Sequence, residues 1–349
     1  MYRFPTSRAR AVGACCVLVT GLAAAAASRA EDMPVRVLLD GRFEGPAALF
    51  VVPHARGYFK QEKLNVVIDA GSGSAGTVAR VAAGAYDIGF ADLAALMEFH
   101  ANQPAAPNKP VAVMMVYNST PAAVLALKKS GIRTPSDLNG RKLGAPLLDA
   151  SRRAWPVFAK ANQIEHVVWT ATGAGRREAM LIDGEVDAIT GLWFTLLLDL
   201  EARGVQTADI VVLPYPSHGV KLYGNAIVVG EAFLKQHPEA VKGFLRAFTK
   251  GVHDVVADPK AAIAALKARD TQIDEAVELR RLQLALASTV LTADARAEGF
   301  GSVVAPRLNL MASQVSDALG TKERVNPNAV WNGSFLPGLT ERNVFLARK

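Results

Sequence analysis

Two segments of the chain follow one plan: VVIDAGSGSAGTVARVAAGAYDIGF at residues 66–90 and HVVWTATGAGRREAMLIDGEVDAIT at residues 166–190. In both, a short apolar run is followed by a glycine-containing turn, an amphipathic segment, a further glycine and another apolar run. This order predicts a strand, a turn, a helix and a strand. Gly84 and Gly184 stand where each helix would end in a left-handed residue. The repeat therefore predicts two lobes built alike.

Short apolar runs alternate with longer amphipathic ones outside the repeat as well, which is typical of an α/β fold. Buried strands are predicted at residues 35–40, 65–69, 87–90, 111–117, 142–145, 167–170, 187–190 and 209–213. Helices are predicted at residues 47–63, 76–83, 93–101, 151–162, 176–183, 194–203, 241–257, 261–268, 273–287 and 308–319. The chain has 349 residues, more than the roughly 250–300 that one core supports, so two lobes are expected.

The N-terminus has the pattern of a secretory signal peptide. Three arginines within the first ten residues precede an apolar run at residues 11–27, and SRA at residues 28–30 has the small-x-small pattern of a cleavage site. We expect cleavage after Ala30 and a periplasmic location. A membrane anchor is disfavoured because the apolar run is shorter than the ~20 residues that a span needs. Lipid attachment at Cys15 is a further alternative.

Composition and charge argue against several protein classes. With 50% hydrophobic and 20% charged residues, the chain is neither disordered nor collagen-like. The formal net charge of +7 falls to +3 once the four arginines of residues 1–30 are removed, and no basic face with interleaved aromatic residues remains for a nucleic acid. Both cysteines lie in the same segment, and the six histidines lack metal-site spacing. No metal site, cofactor or catalytic motif is therefore predicted.

A glycine- and serine-rich turn, GSGSAG at residues 71–76, opens the predicted helix of the first repeat copy. Its glycine spacing fits a dinucleotide-binding fingerprint, but that fingerprint normally follows the first strand of its unit, whereas a strand and a helix precede it here. Ser72 and Ser74 would present hydroxyl and backbone N–H groups to an anion or polar ligand. A flexible turn with a serine cap is the alternative.

The second lobe has comparable chemistry near residues 149–153. Asp149 would cap a helix whose first turn contains Ser151 and Arg152. Because cations oppose the dipole at a helix N-terminus, Arg152 is easier to explain if an anion binds beside it. Solvated arginines on an exposed turn are the alternative.

Aromatic residues lie at the ends of two predicted strands. Trp193 and Phe194 follow the last strand of the second repeat copy, and Tyr117 and Asn118 lie where the fourth strand of the chain ends. Since open α/β sheets bind ligands at the carboxyl ends of their strands, these residues are candidates for a ligand pocket. Core packing is the alternative for each ring.

Five short segments occur in a fixed order: GYFK with LNV at residues 57–66, VAAGAYDIG at 81–89, TPSDLNGRKLG at 134–144, LIDGEVDA at 181–188 and FLKQHPEAV at 233–241. Taken together they resemble the exported solute-binding proteins of ABC importers in the nitrate, sulfonate, taurine and thiamine-pyrimidine group. The resemblance spans about residues 35–260.

The resemblance implies an α/β clamshell in which each lobe is a mixed sheet flanked by helices and the chain crosses between lobes twice. The first lobe would comprise residues 31–121 and 224–349, with residues 226–229 completing its sheet, and the second would comprise residues 122–223. A ligand would close the lobes and shift the population toward the form that a membrane permease recognises. The implied protein is a monomeric, periplasmic transport component rather than an enzyme, and it needs no cofactor.

The resemblance also guides the choice of site residues. Many relatives carry an aromatic residue followed by polar ones after the first strand, whereas this chain reads DGRFE at residues 40–44, so Phe43 and Glu44 would take those places. The predicted ligand-binding residues are Phe43, Glu44, Ser72, Ser74, Asp92, Tyr117, Asn118, Ser151, Arg152, Trp193, Phe194 and Tyr223.

Two ligand classes stay open at this point. Arg152 and the serines of the glycine-rich turn favour a sulfonate or a carboxylate, whereas Glu44 with several aromatic rings would suit a flat, amine-bearing pyrimidine such as a thiamine precursor. A ligand-sensing receptor and a pyrimidine-forming enzyme of the same fold are further alternatives. Those enzymes carry a cysteine-rich motif, and residues 31–349 contain no cysteine.

Overall fold

Two five-stranded mixed sheets organise residues 32–173 and 175–345, which are the part of the chain that the computed structural model describes. The first sheet contains β1 (Met33–Leu38), β2 (Leu64–Asp69), β3 (Ile88–Asp92), β4 (Val111–Met115) and β10 (Asn225–Val229). The second contains β5 (Ala122–Leu127), β6 (Lys142–Ala145), β7 (Val168–Ala171), β8 (Ala188–Leu192) and β9 (Ile210–Pro214). The predicted signal peptide, with both cysteines, lies outside the described residues.

The two sheets share strand order and strand direction. Their orders are β2-β1-β3-β10-β4 and β7-β6-β8-β5-β9, and in each the fourth strand runs antiparallel to both neighbours. The repeat copies form β2 to β3 and β7 to β8, with a helix between the strands. Those helices are followed by Gly84 and Gly184 with φ angles of 72° and 75°, so the predicted left-handed helix ends are confirmed.

Helices connect and cover the strands. They are α1 (Ala48–Ala55), α2 (Tyr58–Gln61), α3 (Ser74–Ala82), α4 (Leu93–Asn102), α5 (Ala150–Arg153), α6 (Trp155–Ala161), α7 (Arg177–Ile182), α8 (Trp193–Ala202), α9 (Glu231–Gln236), α10 (Pro238–Ala257), α11 (Pro259–Arg269), α12 (Glu275–Ala285), α13 (Ala293–Glu298), α14 (Ala305–Leu319) and α15 (Pro327–Val330). Among the described helices, none is both long enough and apolar enough to cross a membrane.

The structure differs from the predicted elements in several places. Helices α9, α13 and α15 were not predicted, and the helix predicted at residues 151–162 is divided into α5 and α6. The helix predicted at residues 47–63 is divided into α1 and α2, because Gly57 between them has a left-handed φ of 70°. Strand β5 was not predicted. All six of its residues are buried, and the run AAVLAL has neither alternation nor aromatic residues, so its pattern cannot separate a buried strand from a buried helix.

The chain passes between the sheets twice, from β4 to β5 and from β9 to β10. We call the part of the fold built on the first sheet lobe 1 and the part built on the second sheet lobe 2. This arrangement confirms the predicted two-lobe clamshell with two chain crossings, and β10 completes the first sheet as expected. The lobe limits at residues 121 and 224 stay predictions.

The C-terminal helices pack mainly on lobe 1. In α10, apolar residues recur every three or four positions and face α1, where the rings of Phe248 and Phe50 lie 4.8 Å apart. Helix α14 contacts both α4 in lobe 1 and α6 in lobe 2, within one buried apolar cluster that includes Met311 and Phe158. The C-terminal segment therefore contributes to the contact between the lobes.

Candidate functional site

A cavity of about 370 Å³ lies between the two lobes. Its walls come from segments that follow strand ends in both sheets, which is where α/β sheets bind ligands. Its volume falls within the roughly 300–1,000 Å³ range of small-molecule sites. The polar and aromatic residues that line it are Asp40, Arg42, Glu44, Phe50, Ser72, Ser74, Phe90 and Tyr117 from lobe 1 and Asp149, Arg177, Phe194 and Thr195 from lobe 2.

Four aromatic rings form one part of the lining. The rings of Phe50 and Phe90 lie 5.1 Å apart, and Phe90 meets Tyr117 edge-on at 5.2 Å, while Phe194 lines the cavity from lobe 2. Burial raises the pKa of Tyr117 well above its usual value, so its hydroxyl stays protonated. The described residues offer that hydroxyl no hydrogen-bond partner, which leaves it available to a ligand.

Asp40 supplies a carboxylate at the end of β1. Its Oδ2 accepts hydrogen bonds from Asn225 Nδ2 at 2.7 Å and from Ser74 Oγ at 3.4 Å. Burial raises the pKa of Asp40 to about 6, although the Asn225 hydrogen bond acts in the opposite direction. The carboxyl group therefore changes protonation state just below neutral pH.

A second buried carboxyl group, Asp92, caps α4. Its Oδ1 accepts hydrogen bonds from the N–H groups of Ala94 at 2.8 Å and Ala95 at 3.4 Å. Burial raises the pKa of Asp92 to about 7, and the charges of Asp40 and Asp149 act in the same direction. The described residues contain no group of three or more His, Cys, Asp or Glu placed to hold a metal ion, so these carboxyl groups are not arranged as a metal site.

Arg177 is a buried cation at the lobe 2 wall, and its residue is 8% exposed. Its Nη1 donates to the carbonyl of Thr190 at 2.9 Å and lies 3.6 Å from Asp149 Oδ2. Its Nη2 lies 2.8 Å from Glu178 Oε1. Two carboxylates thus neutralise this guanidinium, which weakens its attraction for an anion in the cavity.

Glu44 joins the lobes beside the cavity. Its Oε2 accepts a hydrogen bond of 2.9 Å from the hydroxyl of Thr195 in lobe 2. Its Oε1 lies 2.6 Å from Nη2 of Arg42, which itself lies 3.5 Å from Asp199 Oδ2 in lobe 2. A residue that lines the cavity is therefore also part of the contact between the lobes.

The glycine-rich turn was expected to offer free N–H groups to a ligand. Two of these groups are used within lobe 1, because Gly71 donates to the carbonyl of Gly41 at 3.0 Å and Gly73 to that of Asp40 at 2.7 Å. Gly73 has a φ of 119°, and a Cβ there would lie 2.6 Å from the carbonyl oxygen of Leu148 in lobe 2. The positive φ and the close approach of the lobes account for glycine at this position.

The structure brings five of the predicted site residues to the cavity: Glu44, Ser72, Ser74, Tyr117 and Phe194. It places the remaining seven elsewhere. Arg152 Nη1 donates to the carbonyl of Ala145 at 2.9 Å, and its guanidinium stacks 4.8 Å from the centre of the Trp169 ring. Ser151 is fully buried, and its Oγ has no hydrogen-bond partner among the described residues.

Two of the predicted aromatic residues pack outside the cavity. The guanidinium carbon of Arg269 lies 4.4 Å from the centre of the Phe43 ring, and Phe43 also contacts the lobe 1 core. Trp193 meets Phe194 edge-on at 5.7 Å and packs on the lobe 2 core. Rings of α1 and β3, Phe50 and Phe90, line the cavity on the lobe 1 side, where Phe43 does not.

The last three predicted residues hold the framework behind the cavity. Asn118 and Tyr223 belong to the two chain crossings. Arg307 Nη1 donates to Asn118 Oδ1 at 3.2 Å, and the Arg307 guanidinium carbon lies 3.9 Å from the centre of the Tyr223 ring. The backbone N–H of Asp92 donates to Ser74 Oγ at 3.0 Å, so Asp92 supports a residue that lines the cavity.

The sequence-based prediction did not include several residues that line the cavity: Asp40, Arg42, Phe50, Phe90, Arg177 and Thr195. Asp149 was predicted only as a helix cap, and it also lines the cavity. One of the residues that were not predicted, Arg177, lies within the second copy of the sequence repeat. An offset of 100 residues pairs Arg177 with Thr77, whose hydroxyl donates to the carbonyl of Leu39 at 2.9 Å. In both lobes this position reaches a backbone carbonyl near a strand end.

Solved structures of periplasmic binding proteins share this fold. The aliphatic sulphonate-binding protein SsuA from Escherichia coli matches with a TM-score of 0.67 over 87% of this chain and 94% of that chain, at 14% identity. The alkanesulfonate-binding protein SsuA from Xanthomonas axonopodis pv. citri, bound to MOPS, matches with a TM-score of 0.63 over 86% of this chain and 99% of that chain, at 16% identity.

A family model described as NMT1/THI5 like matches residues 47–262. The chain belongs to the NMT1/THI5-like family. The predicted resemblance to solute-binding proteins of ABC importers is confirmed at this level. The NMT1/THI5-like segment includes both chain crossings and all four aromatic rings of the cavity, whereas Asp40 and Glu44 precede it.

A curated relative of this NMT1/THI5-like chain is the riboflavin-binding protein RibY from Chloroflexus aurantiacus, which is 25% identical over 223 residues. The alignment covers 62% of this chain. The chain spans 60% of the length of that relative.

Proposed function

We propose that the protein is the extracytoplasmic solute-binding component of an ABC importer and that it holds a planar organic solute between its lobes. The fold and the NMT1/THI5-like family support the first part. The single observation that carries the second part is the lining of the cavity, where four aromatic rings share one space with carboxylates.

The charges of the cavity favour a solute that donates hydrogen bonds. Asp40, Glu44 and Asp149 contribute three carboxyl groups, whereas the cations Arg42 and Arg177 are both paired with carboxylates. A flat ring with N–H or amino groups would pack on the aromatic rings and donate to the carboxylates. The relative RibY is a riboflavin-binding protein, and riboflavin is a solute of this shape. A thiamine pyrimidine precursor fits the same description.

An alkanesulfonate or carboxylate is the second candidate. Arg177 and Ser72 face the cavity, and the structural neighbours named above bind sulfonates. This candidate ranks below a planar solute for two reasons. Arg152, on which the sequence-based argument for an anion relied, lies outside the cavity lining, and Arg177 is neutralised by Glu178 and Asp149.

The proposed mechanism is capture and release without a covalent step. The solute contacts one lobe, and the other lobe adds contacts when it closes. A saturating solute multiplies the ratio of closed to open protein by the ratio of its affinities for the two forms. A monomer of residues 31–349 in the periplasm would then deliver the solute to its membrane permease. A pyrimidine-forming enzyme would instead consume a bound molecule, so mass spectrometry of recovered ligand separates the two.

A thermal-shift screen tests the proposal. Purified residues 31–349 would be heated with riboflavin, aminopyrimidines, alkanesulfonates, aromatic and aliphatic carboxylates and nitrate. A ligand at one hundred times its Kd stabilises the folded state by about 2.7 kcal/mol. We expect the largest shift from a planar, donor-bearing compound. A larger shift from a sulfonate would favour the second candidate, and a well-folded protein that responds to no compound would contradict solute binding.

A further inference from the structure

Lobe 2 contacts the C-terminal helices at two places that differ in chemistry. Helix α14 meets α6 through apolar side chains that belong to a continuous buried cluster. Helix α12 meets α8 largely through charged side chains. The two contacts should therefore respond differently when the lobes separate.

The charged contact centres on a group that we call the latch cluster: Glu44, Asp199, Glu278 and Arg281. Arg281, on α12, has a side chain that is 3% exposed. Its Nη2 lies 3.1 Å from Asp199 Oδ1 on α8, and its Nε lies 3.0 Å from Glu278 Oε2 on α12. Its Nη1 donates to the carbonyl of Thr195 on α8 at 3.2 Å. One guanidinium thus spans from α12, which packs on lobe 1, to lobe 2.

The latch cluster also reaches the cavity. Arg281 Nη1 lies 3.7 Å from Oε2 of Glu44, which lines the cavity and accepts the hydrogen bond of Thr195. A solute that contacts Glu44 would change the environment of Arg281 directly. A second pair, Arg280 with Glu201, joins the same two helices nearer to solvent.

The apolar contact lies beside the two chain crossings, which Arg307 on α14 holds together. Its Nη2 donates to the carbonyl of Asn118 at 2.7 Å and to that of Leu222 at 3.1 Å, and its Nε donates to the carbonyl of Lys221 at 3.1 Å. One side chain therefore satisfies carbonyls from both crossings. This arrangement fixes the crossings relative to α14.

The two contacts differ in what their separation requires. Separating α14 from α6 exposes apolar side chains to water, which is unfavourable in proportion to the area exposed. Separating α12 from α8 returns charged groups to water, where hydration replaces much of their mutual attraction. The charged contact is therefore the one that can open and close reversibly.

We propose that Arg281 latches the closed form and that Arg307 fixes the hinge, so that the lobes open by separation of α8 from α12. The inference rests on the proposed solute-binding function, which supplies the reason for opening. Arg281 acts through Glu44 and is a positioning residue rather than a ligand contact.

Distance measurements between introduced cysteines test this. Because both native cysteines lie at positions 15 and 16, residues 31–349 provide a cysteine-free background. The latch pair is Ala202→Cys on α8 with Ala276→Cys on α12, and the hinge pair is Lys160→Cys on α6 with Asn309→Cys on α14. All four positions are exposed. Pulsed electron spin resonance on spin-labelled protein gives the distance distribution for each pair without any ligand.

We expect a short-distance population for the latch pair that falls at least about fivefold in Asp199→Asn and in Arg281→Lys. The hinge pair should keep a single distance in both variants. The matched control is Arg176→Gln, which removes an arginine paired with Glu185 inside lobe 2 and should leave both distributions unchanged. Arg280→Gln, at a more exposed pair, should lower the short population in the same direction and serves if the buried variants do not fold.

An unchanged latch-pair distribution in folded Asp199→Asn or Arg280→Gln would overturn the inference, as would a change confined to the hinge pair. Because no ligand is present, this result is independent of the solute screen. A protein that binds a solute but shows no latch contradicts this inference alone, whereas a latch without solute binding contradicts the proposed function.

Discussion

The hydroxyl of Thr195 in lobe 2 donates a 2.9 Å hydrogen bond to Oε2 of Glu44 in lobe 1. Both residues line the cavity, so the contact that joins the lobes and the surface that would meet a solute share one carboxylate. In the proposed function, occupancy of the cavity and closure of the lobes would be linked through these two residues.

Thr195→Val keeps the side-chain volume and removes the donor. Because Glu44 retains Arg42, we expect the free energy of unfolding to fall by only about 0.5–1.5 kcal/mol in urea titrations, while the Kd of a bound solute rises. The control is Thr134→Val, whose hydroxyl donates to Asp137 at 2.9 Å within lobe 2. Equal changes in solute affinity for the two variants would argue against a role for the interlobe hydrogen bond.

Two tyrosine hydroxyls provide a matched pair. Tyr117 lines the cavity without a partner among the described residues, whereas Tyr215 donates to the carbonyl of Ser151 at 2.9 Å in the core. Tyr215→Phe should lower the free energy of unfolding by about 1 kcal/mol, and Tyr117→Phe should leave it nearly unchanged. Solute affinity should show the opposite pattern. If Tyr117→Phe lowers the free energy of unfolding but leaves the solute affinity unchanged, the Tyr117 hydroxyl stabilises the fold and does not contact the solute.

Arg177 and Glu178 form a buried pair, with side chains 10% and 1% exposed. Arg177→Met leaves Glu178 and Asp149 without the cation that they share and should lower the free energy of unfolding by about 3–5 kcal/mol. The double variant with Glu178→Gln should recover part of that loss, because one of the two buried carboxylates is removed with its partner. Additive losses in chemical denaturation would contradict the pairing.

The buried carboxyl groups give stability a specific pH dependence. The pKa of Asp92, about 7, lies above its ordinary value, so the folded state binds more protons than the unfolded state between about pH 4 and pH 7. The free energy of unfolding should therefore fall as pH rises through this range, with Asp40 and Asp149 contributing in the same direction.

Asp92→Asn keeps an oxygen for the N–H groups of Ala94 and Ala95 and removes the titration. We expect the stability of the variant relative to the wild type to rise by about 4 kcal/mol between pH 4 and pH 8. Thermal unfolding across this range checks it. Parallel stability profiles for the two proteins would contradict a raised pKa at this position.

The sequence pattern predicted the fold well where strand, turn and helix repeat with a clear period. Gly84 and Gly184 marked helix ends in both lobes, and the ordered segments that resemble a known family predicted the two crossings. Strand β5 was not predicted, because a short, fully buried apolar run has no periodicity that would distinguish a strand from a helix.

The candidate site was harder to predict because its residues meet across the lobes. Asp40 and Asp149 are far apart in sequence and share a cavity only after both sheets have formed. Arg152 satisfied a local argument about helix dipoles, yet its guanidinium is engaged by a carbonyl and the Trp169 ring, and Arg177 lines the cavity instead. Local spacing does not determine which of two nearby arginines faces an interlobe space.

The adjacent residues Trp193 and Phe194 allow the most direct test of the proposal that the interlobe cavity binds a planar solute. Phe194 lines the cavity, whereas Trp193 packs on the lobe 2 core. The measurement is calorimetric titration of the most stabilising planar compound from the solute screen into the wild type, Phe194→Ala and Trp193→Ala.

In variants that both remain folded, we predict that Phe194→Ala raises the Kd about tenfold or more, as expected when a ring contact worth roughly 1.5 kcal/mol is lost, and that Trp193→Ala changes the Kd little. Unchanged affinity in Phe194→Ala, or an equal loss in Trp193→Ala, would contradict the assignment of this cavity as the solute site.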